Sequence, residues 1–169
     1  ELSGDPAVHL SACRALGVST YRWPGPEAET AVATAAVLVD GLFGTGIRGA
    51  LRGPGADLVA AANRSTALRV AVDVPSGLGD EFEASFPAFR ADTTLTVELA
   101  KRCLYLPAAR RHCGRIEVVA IGFPPGLLVA NDDESELVGY ADASRFVPPI
   151  QEWTYKTKRG VVAVFGGAP

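Results

Sequence analysis

Apolar runs that read as buried strands recur along most of the chain. Residues 35–39 form a continuous apolar run, and residues 68–72 form a second, largely apolar one. Such runs are typical of parallel strands covered on both faces. Residues 93–97 and 115–121 are rich in β-branched residues and predict two further strands. We also predict a short strand at residues 19–22.

Helix signals separate these strands. Residues 6–16 follow an aspartate at the N-cap position and begin with a proline, and Gly17 stops the segment. Residues 56–63 place apolar side chains at core spacing, and residues 107–112 predict a short helix. Strands that alternate with helices predict an α/β fold. We expect a Rossmann-like, doubly wound, mostly parallel sheet with helices on both faces, in three layers.

The character of the sequence changes after Pro125, where an acidic stretch and a proline pair precede a new apolar run. We therefore predict a domain at residues 1–125, a linker at 126–154 and the first strand of a second domain at 155–169. The chain contains no methionine, so we expect a fragment whose N-terminal part is missing.

Composition excludes some functions. The net charge of −3 and the acidic isoelectric point near 5.4 do not favour nucleic-acid binding. No apolar run approaches the ~18 residues that would cross a bilayer, so we expect no membrane partner and a cytoplasmic protein. Three cysteines without a CxxC pair and two distant histidines make a transition-metal site unexpected.

Two of the predicted strands end in an aspartate and a glycine-containing loop. Asp40 begins the sequence DGLFGTG, and Asp73 begins DVPSG. Because the carboxyl ends of parallel strands meet at one edge of a sheet, and ligands collect there, we expect both acids at one site. Asp40 and Ser76 offer hard oxygen ligands for a cation, although on spacing alone a cap for Asp40 and a turn hydrogen bond for Ser76 are the better explanations.

The glycines of the first loop indicate a possible phosphate site. Gly44, Gly46 and Gly49 would let backbone amides turn towards an anion, and Arg48 could bind a phosphate. The alternative is a tight strand-to-helix turn. The spelling GxGxxG also suggests a Rossmann oxidoreductase that uses NAD. In that motif the helix begins within the glycine-containing stretch. Here residues 49–55 separate the motif from the start of the predicted helix.

Four segments, DGLFGTGIRGALRG, VAVDVPSG, RADTTLTVELAK and GRIEVVAIGFP, resemble in this order the N-terminal domain of NAD(P)H-hydrate epimerases, the YjeF N-terminal family. The resemblance spans residues 2–124. The tail from Tyr155 is similar to the start of a ribokinase-like dehydratase domain, which usually carries histidine at that position and glycine at Thr157.

The resemblance implies an enzyme that interconverts the R and S epimers of hydrated NADH and NADPH. Asp40 and Ser76 would bind potassium. Asp73 would contact the substrate and is our preferred acid or base, with pure binding as the alternative. Lys101 is a second catalytic candidate, unless it is a solvated surface lysine. The substrate's phosphate side would lie on a loop made of Gly44, Thr45, Gly46, Ile47, Arg48, Gly49 and Ala50.

The family's Asn-Asn-Gly-Gly-Asp loop would precede residue 1, so we expect the fragment alone to be inactive. The resemblance also implies fusion to a dehydratase domain that uses ADP or ATP, and we expect a homo-oligomer. The alternative function is a non-catalytic module on the same fold that senses nucleotides or binds another protein.

Overall fold

Four parallel strands form one sheet in the computed structural model of the chain, which describes residues 3–128, 137–146 and 153. In spatial order they are β1 (Val37–Asp40), β2 (Leu68–Val72), β3 (Thr93–Val97) and β4 (Arg115–Val119). The prediction of a Rossmann-like α/β fold with a parallel sheet is confirmed, and the sheet with its helices is consistent with three layers.

Helices occupy the segments between and before the strands. They are α1 (Asp5–Ala15), α2 (Pro26–Thr34), α3 (Gly53–Arg64) and α4 (Arg110–Cys113), with 3₁₀ turns at Arg102–Tyr105 and Pro125–Leu127. The first three have a proline in their first turn, where no helical partner is required for its missing N–H. This tolerance explains why α3 begins at Gly53, three residues earlier than predicted.

Three local predictions need correction, and one helix was missed. Residues 19–22 are not a strand, because the described sheet offers them no pairing partner. The sequence analysis missed α2, whose proline start and acidic first turn are helix signals. The predicted strand at residues 115–121 ends two residues earlier, and the predicted helix at residues 107–112 is the short α4.

The described core lies on one face of the sheet. Val59 and Ala62 of α3 pack against Ala71 of β2, and a second cluster, which includes Leu78 and Leu104, packs against Ile116 of β4. On the opposite face exposed apolar residues include Val37, Val39, Leu68 and Val72.

Two loops leave the carboxyl edge of the sheet, and we call them the β1 loop (residues 41–52) and the β2 loop (residues 73–92). Asn63 of α3 anchors the second one. Its Nδ2 donates to the Ala88 carbonyl (2.9 Å), and its Oδ1 accepts from the Arg90 amide (2.8 Å). The last turn of helix α3 thereby fixes the end of the β2 loop, where the chain returns to the start of β3.

The chain divides into two compact units, residues 1–129 and 130–169. The sheet belongs to the first unit. In the second, the structure describes helix α5 (Tyr140–Phe146), and the Gly139 amide donates to Asp142 Oδ2 (3.1 Å). The predicted linker and the second domain stay predictions, and residues 155–169 lie outside the described residues. No helix in the described part of the chain combines the length and apolarity that a membrane span requires.

Candidate active site

Asp40 and Ser76 contact each other at the carboxyl edge of the sheet. Asp40, the last residue of β1, is only 3% exposed, and its Oδ2 accepts from the Ser76 amide (2.7 Å). Ser76 Oγ donates to Asp40 Oδ1 (2.6 Å) and accepts from the Phe43 amide (3.0 Å). This buried pair therefore ties the start of the β1 loop to the β2 loop.

Strands β2 and β3 both end in the same strained turn. The Val74 amide donates to the Val72 carbonyl (2.9 Å) around Asp73, and the Leu99 amide donates to the Val97 carbonyl (2.7 Å) around Glu98. Both central residues have positive φ, +67° and +58°. Such γ-turns are rare and strained for residues with a side chain. Strain of this kind collects at functional sites, so its occurrence on neighbouring strands marks this edge.

Asp73 and Lys101 form an ion pair beside these turns. Lys101 Nζ lies 2.6 Å from Asp73 Oδ1 and also donates to the Val97 carbonyl (2.5 Å). Asp73 Oδ1 accepts two more hydrogen bonds, from the Val97 amide (3.1 Å) and from Thr96 Oγ1 (3.3 Å). The structure thus brings together the two residues that the sequence analysis chose as catalytic candidates.

These contacts determine the charge of Asp73. Burial alone would raise its pKa. Hydrogen bonds from Lys101 and the Val97 amide, the positive charge of Lys101 and the Thr96 hydroxyl outweigh burial and hold the pKa below 3.8. Asp73 is therefore a carboxylate at neutral pH and can accept a proton or a hydrogen bond, while the neighbouring ammonium can donate one.

The predicted phosphate-binding residues, Gly44 to Ala50, lie in the β1 loop. Residues 41–46 are all exposed, as is Arg48. A Cβ atom added at Gly44, Gly46 or Gly49 would meet nothing within 4 Å, and among the three only Gly49 has positive φ (+71°). Packing within the described chain therefore does not require glycine at positions 44 and 46, which leaves room for the backbone to meet a ligand.

The start of the β2 loop has the opposite character, since residues 74–79 are all buried. Gly77 has φ +102°, and an added Cβ would lie 2.5 Å from the Pro87 carbonyl oxygen. At Gly79 it would lie 2.8 Å from the carbonyl oxygen of Ile47. These two glycines serve close backbone packing, and Gly79 brings the two loops into contact.

A cation at this edge would be held by oxygen atoms. Asp40 and Ser76 offer a carboxylate and a hydroxyl, and the Phe43 carbonyl oxygen lies 3.4 Å from Ser76 Oγ. Among the described residues no group of three or more His, Cys, Asp or Glu side chains could hold a metal. The donors present fit a hard, weakly held cation.

Sequence reasoning missed several residues at this site. Thr96 and Glu98 were not singled out, nor was Phe43, whose amide reaches Ser76. Thr96 could have been found, because strict alternation in β3 places it on the inward face near the carboxyl end of the strand. The contact of the Phe43 amide and the two strained turns depend on tertiary structure and leave no local pattern.

The geometry also bears on the oxidoreductase alternative. Helix α3 begins at Gly53, four residues after the last glycine of the GxGxxG spelling. Dinucleotide binding of the dehydrogenase type requires a helix that begins within the motif. Helix α3 begins after the motif and does not meet this requirement. The fold is instead that of a Rossmann-like domain with a candidate site formed by the loops after β1, β2 and β3.

Comparison with known proteins identifies the family. The chain belongs to the family described as YjeF-related protein N-terminus, which matches residues 1–103. The resemblance found in the sequence is thereby confirmed.

Two relatives illustrate the similarity. An NAD(P)H-hydrate epimerase of Rhodopirellula baltica is 40% identical over 130 residues, covering 76% of this chain and 53% of the relative. A bifunctional NAD(P)H-hydrate repair enzyme of Pyrobaculum aerophilum is 43% identical over 136 residues, covering 79% of this chain and 26% of the relative. The chain thus spans about half the length of the first and about a quarter of the second.

Proposed function

We propose that the protein carrying this chain interconverts the R and S epimers of hydrated NADH and NADPH. The observation that supports this best is the Asp73–Lys101 pair, 2.6 Å apart at the carboxyl edge. The pair lies in a family whose relatives are named for the epimerisation and repair of NAD(P)H hydrates. It supplies the proton acceptor and donor that the reaction needs.

Two routes invert the hydroxyl-bearing carbon beside the ring nitrogen, and both use this pair. In one route, Asp73 accepts the hydroxyl proton, the carbon–nitrogen bond breaks, and Lys101 protonates the nitrogen; reclosure on the other face reverses both transfers. In the other route, Lys101 protonates the departing hydroxyl, and Asp73 accepts a proton from the water that returns on the opposite face. The first route restores both side chains directly, and in the second the proton gained by Asp73 returns to Lys101 across the ion pair.

The β1 loop would hold the phosphate side of this substrate. Its open glycines expose backbone amides, and the exposed Arg48 can supply charge-assisted hydrogen bonds to a phosphate. The loop joins the Asp73 region through Ser76, because the Ser76 hydroxyl accepts from the Phe43 amide. Phosphate binding and ring chemistry would therefore take place in one continuous site.

Asp40 and Ser76 would hold a potassium ion, and the Phe43 carbonyl would contribute a third oxygen. When bound, the cation would offset the charge of the buried Asp40 carboxylate and favour the joined arrangement of the two loops. In the longer protein we also propose a fused dehydratase domain that uses ADP or ATP, because relatives named as bifunctional repair enzymes match this chain over only 26% and 34% of their own length.

The test is the rate of R-to-S interconversion by the full-length protein, followed by chromatography of the two hydrates. Asp73→Ala should slow it at least tenfold. Asp92→Ala is the matched control, because Asp92 pairs with Arg69 (3.2 Å) next to the amino end of β3, away from the proposed site. The same assay in potassium and in tetramethylammonium salts tests whether the rate of interconversion depends on potassium.

Each outcome is decisive. Equal rates for wild type and Asp73→Ala would remove Asp73 from the mechanism. Saturable binding of the hydrate without turnover by the wild type would instead favour the non-catalytic nucleotide-sensing alternative.

A further inference from the structure

The two oxygens of the Asp73 carboxylate have unequal surroundings. Oδ1 receives three donors: Lys101 Nζ (2.6 Å), the Val97 amide (3.1 Å) and Thr96 Oγ1 (3.3 Å). Within the part of the chain that the structure describes, Oδ2 accepts no hydrogen bond. The side chain of Asp73 is 30% exposed, so the carboxylate reaches the surface. One oxygen is therefore held by the protein, and the other is left for a ligand.

The backbone fixes the base of this side chain. The Asp73 amide donates to the Leu95 carbonyl (2.8 Å), and the turn around Asp73 is closed by the Val74 amide (2.9 Å). With φ at +67°, the residue is held in a sparsely populated conformation that neighbouring bonds enforce. What remains free is rotation of the carboxylate about its own bonds, so the donors on one oxygen fix the orientation of the group and leave the other oxygen facing outward.

Thr96 is well suited to make this selection. It is fully buried (0% exposed) on the inward face of β3. A β-branched side chain in a strand has little rotational freedom. Its hydroxyl lies within reach of Asp73 Oδ1 (3.3 Å) and of the Leu99 carbonyl (3.4 Å). A single proton serves one of these acceptors at a time, and the charged carboxylate is the stronger one.

We propose that Thr96 is a positioning residue, which holds Asp73 Oδ1 on the protein side so that Oδ2 faces the substrate. Oδ2 is then the atom that accepts the proton in the epimerisation described above, and this inference rests on that proposed function. Lys101 is an ammonium on a long, flexible side chain and must remain available to donate. The rigid hydroxyl of Thr96, together with the Val97 amide, therefore supplies orientation that Lys101 cannot supply alone.

The same strand offers a matched control. Thr94 is also fully buried and points to the same face, but its hydroxyl donates to the Cys113 carbonyl (2.7 Å). Thr94→Val and Thr96→Val each remove one buried hydroxyl from β3, and only the second removes a contact to Asp73. Thr96→Ser restores the hydroxyl, and Thr96→Ala replaces Thr96→Val if the valine variant does not fold.

In the full-length protein, Thr96→Val should lower kcat about tenfold with little change in KM, because orientation of the acceptor matters most in the transition state. The acid limb of the pH profile should move to higher pH, since loss of a donor raises the pKa of Asp73. Two other titratable side chains face Asp73 and bear on the pH profile, namely Lys101 and Cys103. Burial, with smaller contributions that include the Asp73 charge, raises the pKa of Cys103 to about 11, so its thiol does not titrate in this range.

Thr94→Val should leave both readouts unchanged, and Thr96→Ser should recover them. Equal kcat and equal pH profiles for Thr96→Val and Thr94→Val would overturn the inference. A ¹³C titration of the Asp73 carboxyl supplies a readout independent of turnover. If the wild type does not epimerise, the proposed function fails, and an Asp73 pKa that is unchanged by Thr96→Val overturns the positioning role separately.

Discussion

The β1 loop and the β2 loop use glycine for opposite reasons. In the β1 loop, residues 41–46 are exposed and the space around Gly44 and Gly46 is open. In the β2 loop, residues 74–79 are buried, and Gly77 sits against backbone atoms that leave no room for a side chain. Glycine in the first loop therefore suits the approach of a ligand, whereas glycine in the second builds the platform on which the site stands.

The sharpest test of this contrast is Gly77→Ala. An alanine there combines positive φ (+102°) with a Cβ placed 2.5 Å from the Pro87 carbonyl oxygen. Backbone strain and overpacking together should destabilise the fold by about 3 kcal/mol. Urea unfolding followed by circular dichroism measures the change.

Gly122→Ala separates the two contributions. Gly122 has a similar φ of +92°, but an added Cβ would meet nothing within 4 Å. Its replacement should destabilise the fold by about 1 kcal/mol, which is the backbone strain alone. If Gly77→Ala is no less stable than Gly122→Ala, close packing is not the reason for the glycine in the β2 loop.

The second test, Gly46→Ala, should have a smaller effect and on a different property. Its Cβ would enter open space and its φ is not positive, so we expect stability to change by less than about 0.5 kcal/mol. Affinity for hydrated NADH should fall about tenfold, or about 1.4 kcal/mol, because the methyl group keeps the phosphate away from the backbone. Titration calorimetry on the full-length protein measures this.

Gly41→Ala is the control for this test. Gly41 also lies in the β1 loop with open space around it, but outside the stretch assigned to the phosphate. An equal loss of affinity in both variants would show that the whole loop, rather than residues 44–50, senses the substitution. No loss in either variant would remove the proposed phosphate role.

The sequence predicted the parts of this molecule that follow from local pattern. Strand β3 was predicted with its observed bounds, and β1 and β2 were predicted to end in aspartates at one edge, because apolar runs and β-branched content are local signals. The rule that parallel strands share a carboxyl edge predicted that Asp40 and Asp73 lie at the same edge, whereas the pairing of Asp40 with Ser76, 36 positions apart in the chain, was implied by the family resemblance.

The remaining features depend on contacts between distant segments. The inequality of the two Asp73 oxygens is set by Val97 and Thr96, which lie on the next strand. Likewise, Gly44 and Gly77 look alike in sequence, and only the distance from Gly77 to Pro87 shows that one is packed and the other open. Local pattern could therefore locate the site but could not divide its residues between packing and binding.

The smallest expected effect concerns the pH dependence of stability and belongs to His112 of α4, which packs against the β2 loop. His112 is 3% exposed and packs edge-to-face on Phe82 of that loop, with ring centroids 5.4 Å apart. Burial first, and then the charges of Arg111 and Arg90, lower the pKa of His112. The imidazole is also an acceptor, since its Nε2 accepts from Arg111 Nε (3.1 Å).

Protonation of His112 would replace that acceptor with a donor. Because its folded pKa lies below the unfolded value of about 6.5, the unfolded chain binds more protons as the pH falls. The contribution of His112 to the free energy of unfolding is therefore complete above pH 6.5 and declines below it, by at most about 1.4 kcal/mol per pH unit between the two pKa values.

Urea midpoints between pH 5 and pH 7.5 should show this slope in the wild type. His112→Phe keeps the aromatic contact and should flatten it, whereas replacing His9, the other histidine, which is exposed on α1, should not. A wild-type slope that survives in His112→Phe would place the acid-sensitive group elsewhere.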